Sequence, residues 1–129
     1  MPWPWIRARV EGLSMIPTLA PGETVWIRRG ARIRPLDVVA ARDPQGRLVV
    51  KRALQTCLVD EDGIPVPMRF GGGCLPFPPP GEWISAWWLL GDNHEASTDS
   101  RHYGWVPANR IVGRVVLPRR VAGDEFQEG

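Results

Sequence analysis

Proline and glycine recur so closely along this chain that no long helix can be threaded between them: 14 of each stand among 129 residues. Proline fixes φ and removes a backbone donor, and glycine costs conformational entropy inside any regular element, so both act as punctuation. The runs between them are short and rich in Val, Ile, Trp and Leu, which suits strands. They predict strands at 6–10, 24–29, 37–42, 47–54, 83–90 and 111–117, with helical turns at 17–19 and 107–110. The expected fold class is mainly β, a barrel or a pair of packed sheets built from short strands.

Residues 1–118 suffice for one domain and not for two. Within them, 60–81 carries Gly71-Gly72-Gly73 and Pro78-Pro79-Pro80 and is expected to be a long surface excursion. The tail 119–129 is polar after Val121 and is expected to fray.

Charge excludes some partners. Sixteen basic residues against 14 acidic leave a formal +2, and Arg28, Arg29, Arg32 and Arg34 form only a short cluster of the kind that solvation explains. Nucleic-acid binding wants a concentrated basic stripe, so no nucleic-acid partner is expected. No stretch approaches the roughly 18 to 20 apolar residues of a membrane-spanning helix, and no secretory leader pattern is present. The expectation is a cytoplasmic protein without a transmembrane segment. Trp3, Trp5 and Ile6, followed by Arg7 and Arg9, leave peripheral contact with a membrane open. The simpler reading is a first strand that packs its tryptophans on the core. Cys57, Cys74, His94 and His102 match no zinc spacing, so no metal and no cofactor is expected, and the cysteines are read as unpaired thiols.

Three segments carry chemistry. In Glu11-Gly12-Leu13-Ser14-Met15-Ile16-Pro17, a serine follows a strand, with glycine two residues before and proline three after. Such a constrained turn can hold a hydroxyl toward a groove and aim backbone N–H groups at one point. Alone this is weak, because serines beside turns are common.

The second segment is Val49-Val50-Lys51-Arg52-Ala53. Lys51 is the only lysine in the chain, against 15 arginines. It lies in an apolar strand, on the same face as Val49 and Ala53. A buried lysine must be neutral or paired. Arginine cannot lose its proton in a protein and lysine can, so a site needing a neutral amine keeps its lysine. Bringing a lysine from pKa ~10.4 to a useful base near 7 costs about 4 kcal/mol of stability. The competing reading is a strand lysine whose head reaches solvent.

The third segment, 91–101, packs two aspartates, two serines and an arginine behind an apolar strand. Asp99 and Arg101 can pair, Ser97 can offer its hydroxyl to a neighbouring amine, and Gly91-Asp92-Asn93 reads as a tight turn. His94 and His102 are alternative bases, since Ser–His pairs are the commoner scheme. Both sit among polar residues where an exposed histidine is unremarkable.

Taken together, the segments resemble the signal peptidase I family of Ser/Lys proteases. The resemblance runs from Gly12-Leu13-Ser14-Met15-Ile16-Pro17-Thr18-Leu19 through Asp37-Val38-Val39 and Val50-Lys51-Arg52-Ala53. It resumes at Gly91-Asp92-Asn93, Ser97-Thr98-Asp99-Ser100-Arg101, Tyr103-Gly104 and Val106-Pro107, and closes on Ile111-Val112-Gly113-Arg114. It implies a signal-peptidase-like β-barrel-type domain in which Ser14 is the nucleophile, on a turn made by Gly12 and Met15, and Lys51 is the general base. Ser97 orients the lysine, Asp99 and Arg101 form a structural ion pair, and the Ser14 N–H serves the oxyanion. Some relatives carry a hydroxyl two residues before the nucleophile; Gly12 cannot supply it.

The expected activity is a serine endopeptidase that removes a short N-terminal leader or propeptide. Small relatives without a membrane anchor look most like the maturation proteases of nickel-containing superoxide dismutase, which makes that precursor the candidate partner. The alternatives are a membrane-associated signal peptidase, a non-catalytic peptide-binding module on the same fold, and a self-cleaving repressor-type Ser/Lys domain. This last reading lacks a DNA-binding segment.

Overall fold

The run Val38-Val39-Ala40-Ala41 has no polar residue, and such a run suits a strand covered on both faces. All four side chains are buried. In the computed structural model, which describes residues 3–66 and 82–117 with the backbone of 69–70 and 73–74, this run lies in the middle of a sheet. The strands are β1 (Trp5–Arg9), β2 (Thr24–Arg29), β3 (Val38–Arg42), β4 (Leu48–Val59), β5 (Arg69–Phe70), β6 (Gly73–Cys74), β7 (Ile84–Leu90), β8 (Val106–Pro107) and β9 (Ile111–Val116). A one-turn helix α1 spans Ser100–Tyr103, and 3₁₀ turns span His94–Ala96 and Ala108–Arg110.

Seven strands pair in the order β1-β2-β9-β3-β4-β7-β8, every contact antiparallel, while β5 and β6 pair separately. The mainly β class expected from the sequence is thus the one found. Successive residues of β3 feed opposite faces. Val38 and Ala40 join Val10, Met15, Leu19, Val25, Ile27 and Val115 in one core cluster. Val39 and Ala41 join Ala53, Trp87, Leu89 and Val106 in another. Met15 and Leu19 tie the Ser14 turn into the first cluster. Ala53, two residues beyond Lys51, belongs to the second.

Several expectations change. β4 runs five residues past 54, because Thr56 to Val59 continue to pair with β7 beyond a register shift between Ala53 and Gln55. At 17–19 there is no helix. Bonds from Leu19 N–H to the Met15 carbonyl (2.9 Å) and from Ile16 N–H to the Leu13 carbonyl (3.3 Å) close the turn, and the Ile16–Pro17 peptide is cis. The start of 60–81 is anchored rather than free. The Asp60 carboxylate accepts the N–H groups of Asp62 and Ile64 (2.8 and 2.9 Å), Val59 bridges Pro65, and Val66 is buried. The triple proline and the 119–129 tail lie outside the described residues. Trp3 and Trp5 do not pack on the core: Trp3 is 71% exposed, and Trp5 turns outward beneath the Arg28 guanidinium, 5.4 Å away. It is Ile6 and Ala8 of β1 that face inward. Cys57 is a free, half-buried thiol on β4, and the Cys74 side chain lies outside the described residues.

Candidate active site

Gly12 starts the site. Its φ of 76° lies in the left-handed region, which glycine adopts without steric cost, and it swings the chain from the end of β1 into the Ser14 turn. Buried Met15 then pins the turn to the core. Two hydrogen bonds from one distant residue fix the peptides on either side of the serine. Asn93 N–H donates to the Ser14 carbonyl (2.8 Å), and Asn93 Nδ2 donates to the Leu13 carbonyl (3.0 Å). The Ser14 N–H meets no acceptor among the described residues. Ser14 itself is half-buried.

Lys51 sits on β4 opposite Val39 and is 5% exposed. Among the described residues no hydrogen bond or ion pair reaches its amine. Burial pushes its pKa below the ordinary lysine range, against the pull of the Asp99 and Asp43 carboxylates. Ser14 and Lys51 line one cleft of about 550 Å³, with the end of β1 on one side and the 47–51 stretch on the other. Leu13 and Leu48 stand exposed at its rims. Asp43 and Tyr103 also line it. The Tyr103 hydroxyl is pushed up to about 12 by burial and by the carboxylates of Asp99 and Asp43, so it stays a neutral phenol.

Behind this cleft Asp99 organises the third segment. It is fully buried and accepts from Ser97 Oγ (2.7 Å), Gly91 N–H (3.0 Å), Arg101 N–H (3.2 Å) and Arg101 Nε (2.9 Å). Burial raises its pKa, but these hydrogen bonds and the guanidinium outweigh it and hold the carboxyl far below the usual range. Arg101 continues to the His94 carbonyl (2.8 Å), so the expected Asp99–Arg101 pair also ties down the loop. The Ser97 hydroxyl spends its proton on Asp99 and makes no hydrogen bond to Lys51. Its lone pairs are what remain to meet an amine N–H. Gly91 lies between these parts. A Cβ there would fall 2.2 Å from Ser97 Oγ and 2.7 Å from the Ser14 carbonyl oxygen, so only glycine lets the two segments approach.

Neither histidine lines the cleft. His102 Nδ1 accepts the Asp99 N–H (3.1 Å) and completes a capping box at α1, a structural duty.

A clamp that reading the chain residue by residue does not reveal holds the three segments together. Arg52, next to Lys51, grips Asp92 with two bonds (Nε 2.9 Å, Nη2 2.7 Å), and Thr18 donates its hydroxyl to the same carboxylate. Arg52 also reaches the Leu36 carbonyl (2.8 Å). The signal available in the sequence was alternation: Arg52 must point to the face opposite Lys51, away from the cleft.

Residues 85–119 match the signal peptidase family. The family's description is "Signal peptidase, peptidase S26", and the match takes in β7, the 91–101 loop and β9. A mitochondrial ATP-independent inner membrane protease subunit 1a of Arabidopsis thaliana is 35% identical over 118 residues, covering 84% of this chain. The chain spans 66% of that relative's length, just under two thirds. Among the described residues no helix is long and apolar enough to cross a membrane.

Proposed function

We propose that this chain is a serine endopeptidase that removes N-terminal leaders or propeptides, with Ser14 as nucleophile and neutral Lys51 as general base. The observation that carries the reading is a buried amine without a partner among the described residues, lining the same cleft as a serine whose N–H is unused. Lys51 takes the Ser14 proton as Oγ attacks the scissile carbonyl, and the oxyanion develops beside the Ser14 N–H. The protonated amine then returns its proton to the leaving nitrogen, and a water activated the same way releases the acyl group. Ser97, its own proton held by Asp99, is the acceptor we assign to an N–H of the neutral amine once substrate is bound, a contact that would turn the nitrogen lone pair toward Ser14.

For the substrate, the nickel superoxide dismutase precursor is the specific candidate carried by the sequence resemblance. A second reading, a leader peptidase working at a membrane, is favoured by the relative named as an inner membrane protease. Co-expression with the nickel superoxide dismutase precursor, and separately with a secretory precursor, tests both by intact mass. Shortening of one precursor by wild type, but not by Ser14→Ala or Lys51→Arg, is the expected result. Cleavage that survives in Lys51→Arg would discard the neutral-lysine base.

A further inference from the structure

A second hollow, of about 310 Å³, adjoins the cleft, and Tyr103 lines both. Its charges fall at two ends. Arg42 and Arg110 flank the Ala41–Ile111 pairing of β3 with β9, and Arg110 Nη1 reaches the Asp43 carbonyl beside Arg42 (3.3 Å). Asp60, Glu61 and Asp62 stand on the turn after β4, which the Gly63 N–H closes on the Asp60 carbonyl (2.9 Å). The rest of the wall is largely apolar and includes Ile84, Trp105 and Pro107, with Ile84 46% exposed. Two guanidiniums and three carboxylates thus line one hollow, yet among the described residues none of the five forms an ion pair. The Tyr103 hydroxyl has no hydrogen-bond partner among the described residues either.

We infer that this hollow is a second docking site for the polypeptide that the cleft takes. It holds a segment outside the bond to be cut, in which an acidic residue, one or two apolar residues and a basic residue follow one another. Opposite charges in contact satisfy each other, whereas opposite charges held apart across an apolar wall are complementary to a chain bearing the reverse pair. The segment's carboxylate meets Arg42 and Arg110, its ammonium meets Glu61 and Asp62, and its apolar side chain lies against Trp105 and Ile84. At this volume the hollow accepts a few side chains and not a folded partner. Tyr103 assigns the occupant: it is the wall shared with the cleft, so a chain leaving the cleft on that side runs past it into the hollow. The inference rests on the reading above that the cleft takes a polypeptide, but it is tested by binding alone. A chain that docks the segment and cuts nothing would refute proteolysis and leave the site standing.

Fluorescence anisotropy of labelled Gly-Glu-Leu-Leu-Lys-Gly and Gly-Lys-Leu-Leu-Glu-Gly amides, with the full chain carrying Ser14→Ala, tests it without cleavage. One of the two orders is expected to bind on the order of tenfold tighter than Gly-Gln-Leu-Leu-Gln-Gly, a margin that shrinks in salt. Arg42→Gln with Arg110→Gln should erase that margin and leave both the neutral peptide's affinity and the circular dichroism spectrum unchanged. Glu61→Lys with Asp62→Lys, on the exposed turn, should move the preference to Gly-Glu-Leu-Leu-Glu-Gly. Equal binding of the charged and neutral peptides, or a margin that survives both double substitutions, would overturn the proposal. So would displacement of the peptide by free leucine at equal concentration, which would make the hollow a small-molecule site.

Discussion

Gly91 and Lys51 show how much of the site depends on single atoms. At Gly91 the space for a methyl group is already filled by Ser97 and by the Ser14 carbonyl. Gly91→Ala is therefore expected to fold with a lowered melting temperature and to lose on the order of 100-fold in kcat/KM on a leader-peptide substrate, since a displacement of about 1 Å suffices for that. At Lys51, burial favours the neutral amine, so kcat/KM should rise with pH and level off below the ordinary lysine pKa. A pH profile measures this, and a rate still climbing through the ordinary lysine range would mean the amine is not tuned. Lys51 was legible because it is the only lysine and lies in an apolar strand. Asn93 was not, because its hold on the Ser14 turn spans 80 residues of chain and leaves no local pattern.

At the scale of elements, the site is a meeting of three segments on different strands, and the Arg52–Asp92–Thr18 clamp fixes their spacing. Both partners of the ion pair are largely shielded, at 24% and 17% exposure. Arg52→Met, which keeps the stem and removes the fork, is expected to lower stability by about 2 kcal/mol in urea unfolding. It should also lower kcat while the pH midpoint for Lys51 stays in place. A shifted midpoint would mean that Arg52 acts on the lysine rather than on spacing. Strands were readable where apolar runs met proline or glycine, as in β2 and β3. The end of β4 was not, since Gln55 and Thr56 interrupt the pattern and only pairing with β7 keeps them extended. Nor was α1, whose residues are polar and whose existence depends on the Asp99 cap.

Across the whole molecule, the shifted Asp and Lys groups all make stability rise with pH, in two separate windows. Asp43, Asp92 and Asp99 are all held below the usual carboxylate range in the folded state. Their stabilisation is full above the unfolded carboxylate pKa near 4 and drains as the pH falls through that range toward the folded values. Lys51 works in the same direction at higher pH, because the unfolded chain binds its proton more readily than the fold does. Its penalty persists at neutral pH and lifts only as the solution becomes alkaline. Lys51→Met is accordingly expected to be inactive yet more stable at pH 7, by on the order of 1 kcal/mol. Thermal melts across pH check both windows, and a destabilised Lys51→Met would show the amine to be better satisfied than its surroundings suggest.

The position of β9 has a consequence in time. A ribosome delivers β1, β2, β3 and β4 long before Ile111–Val116, yet β9 is the strand that joins β2 to β3. Until it arrives, no strand pairing joins the half of the sheet that leads into the Ser14 turn to the half that bears Lys51. On the proposed mechanism, a nascent chain is thus expected to stay inactive until synthesis has passed Val116.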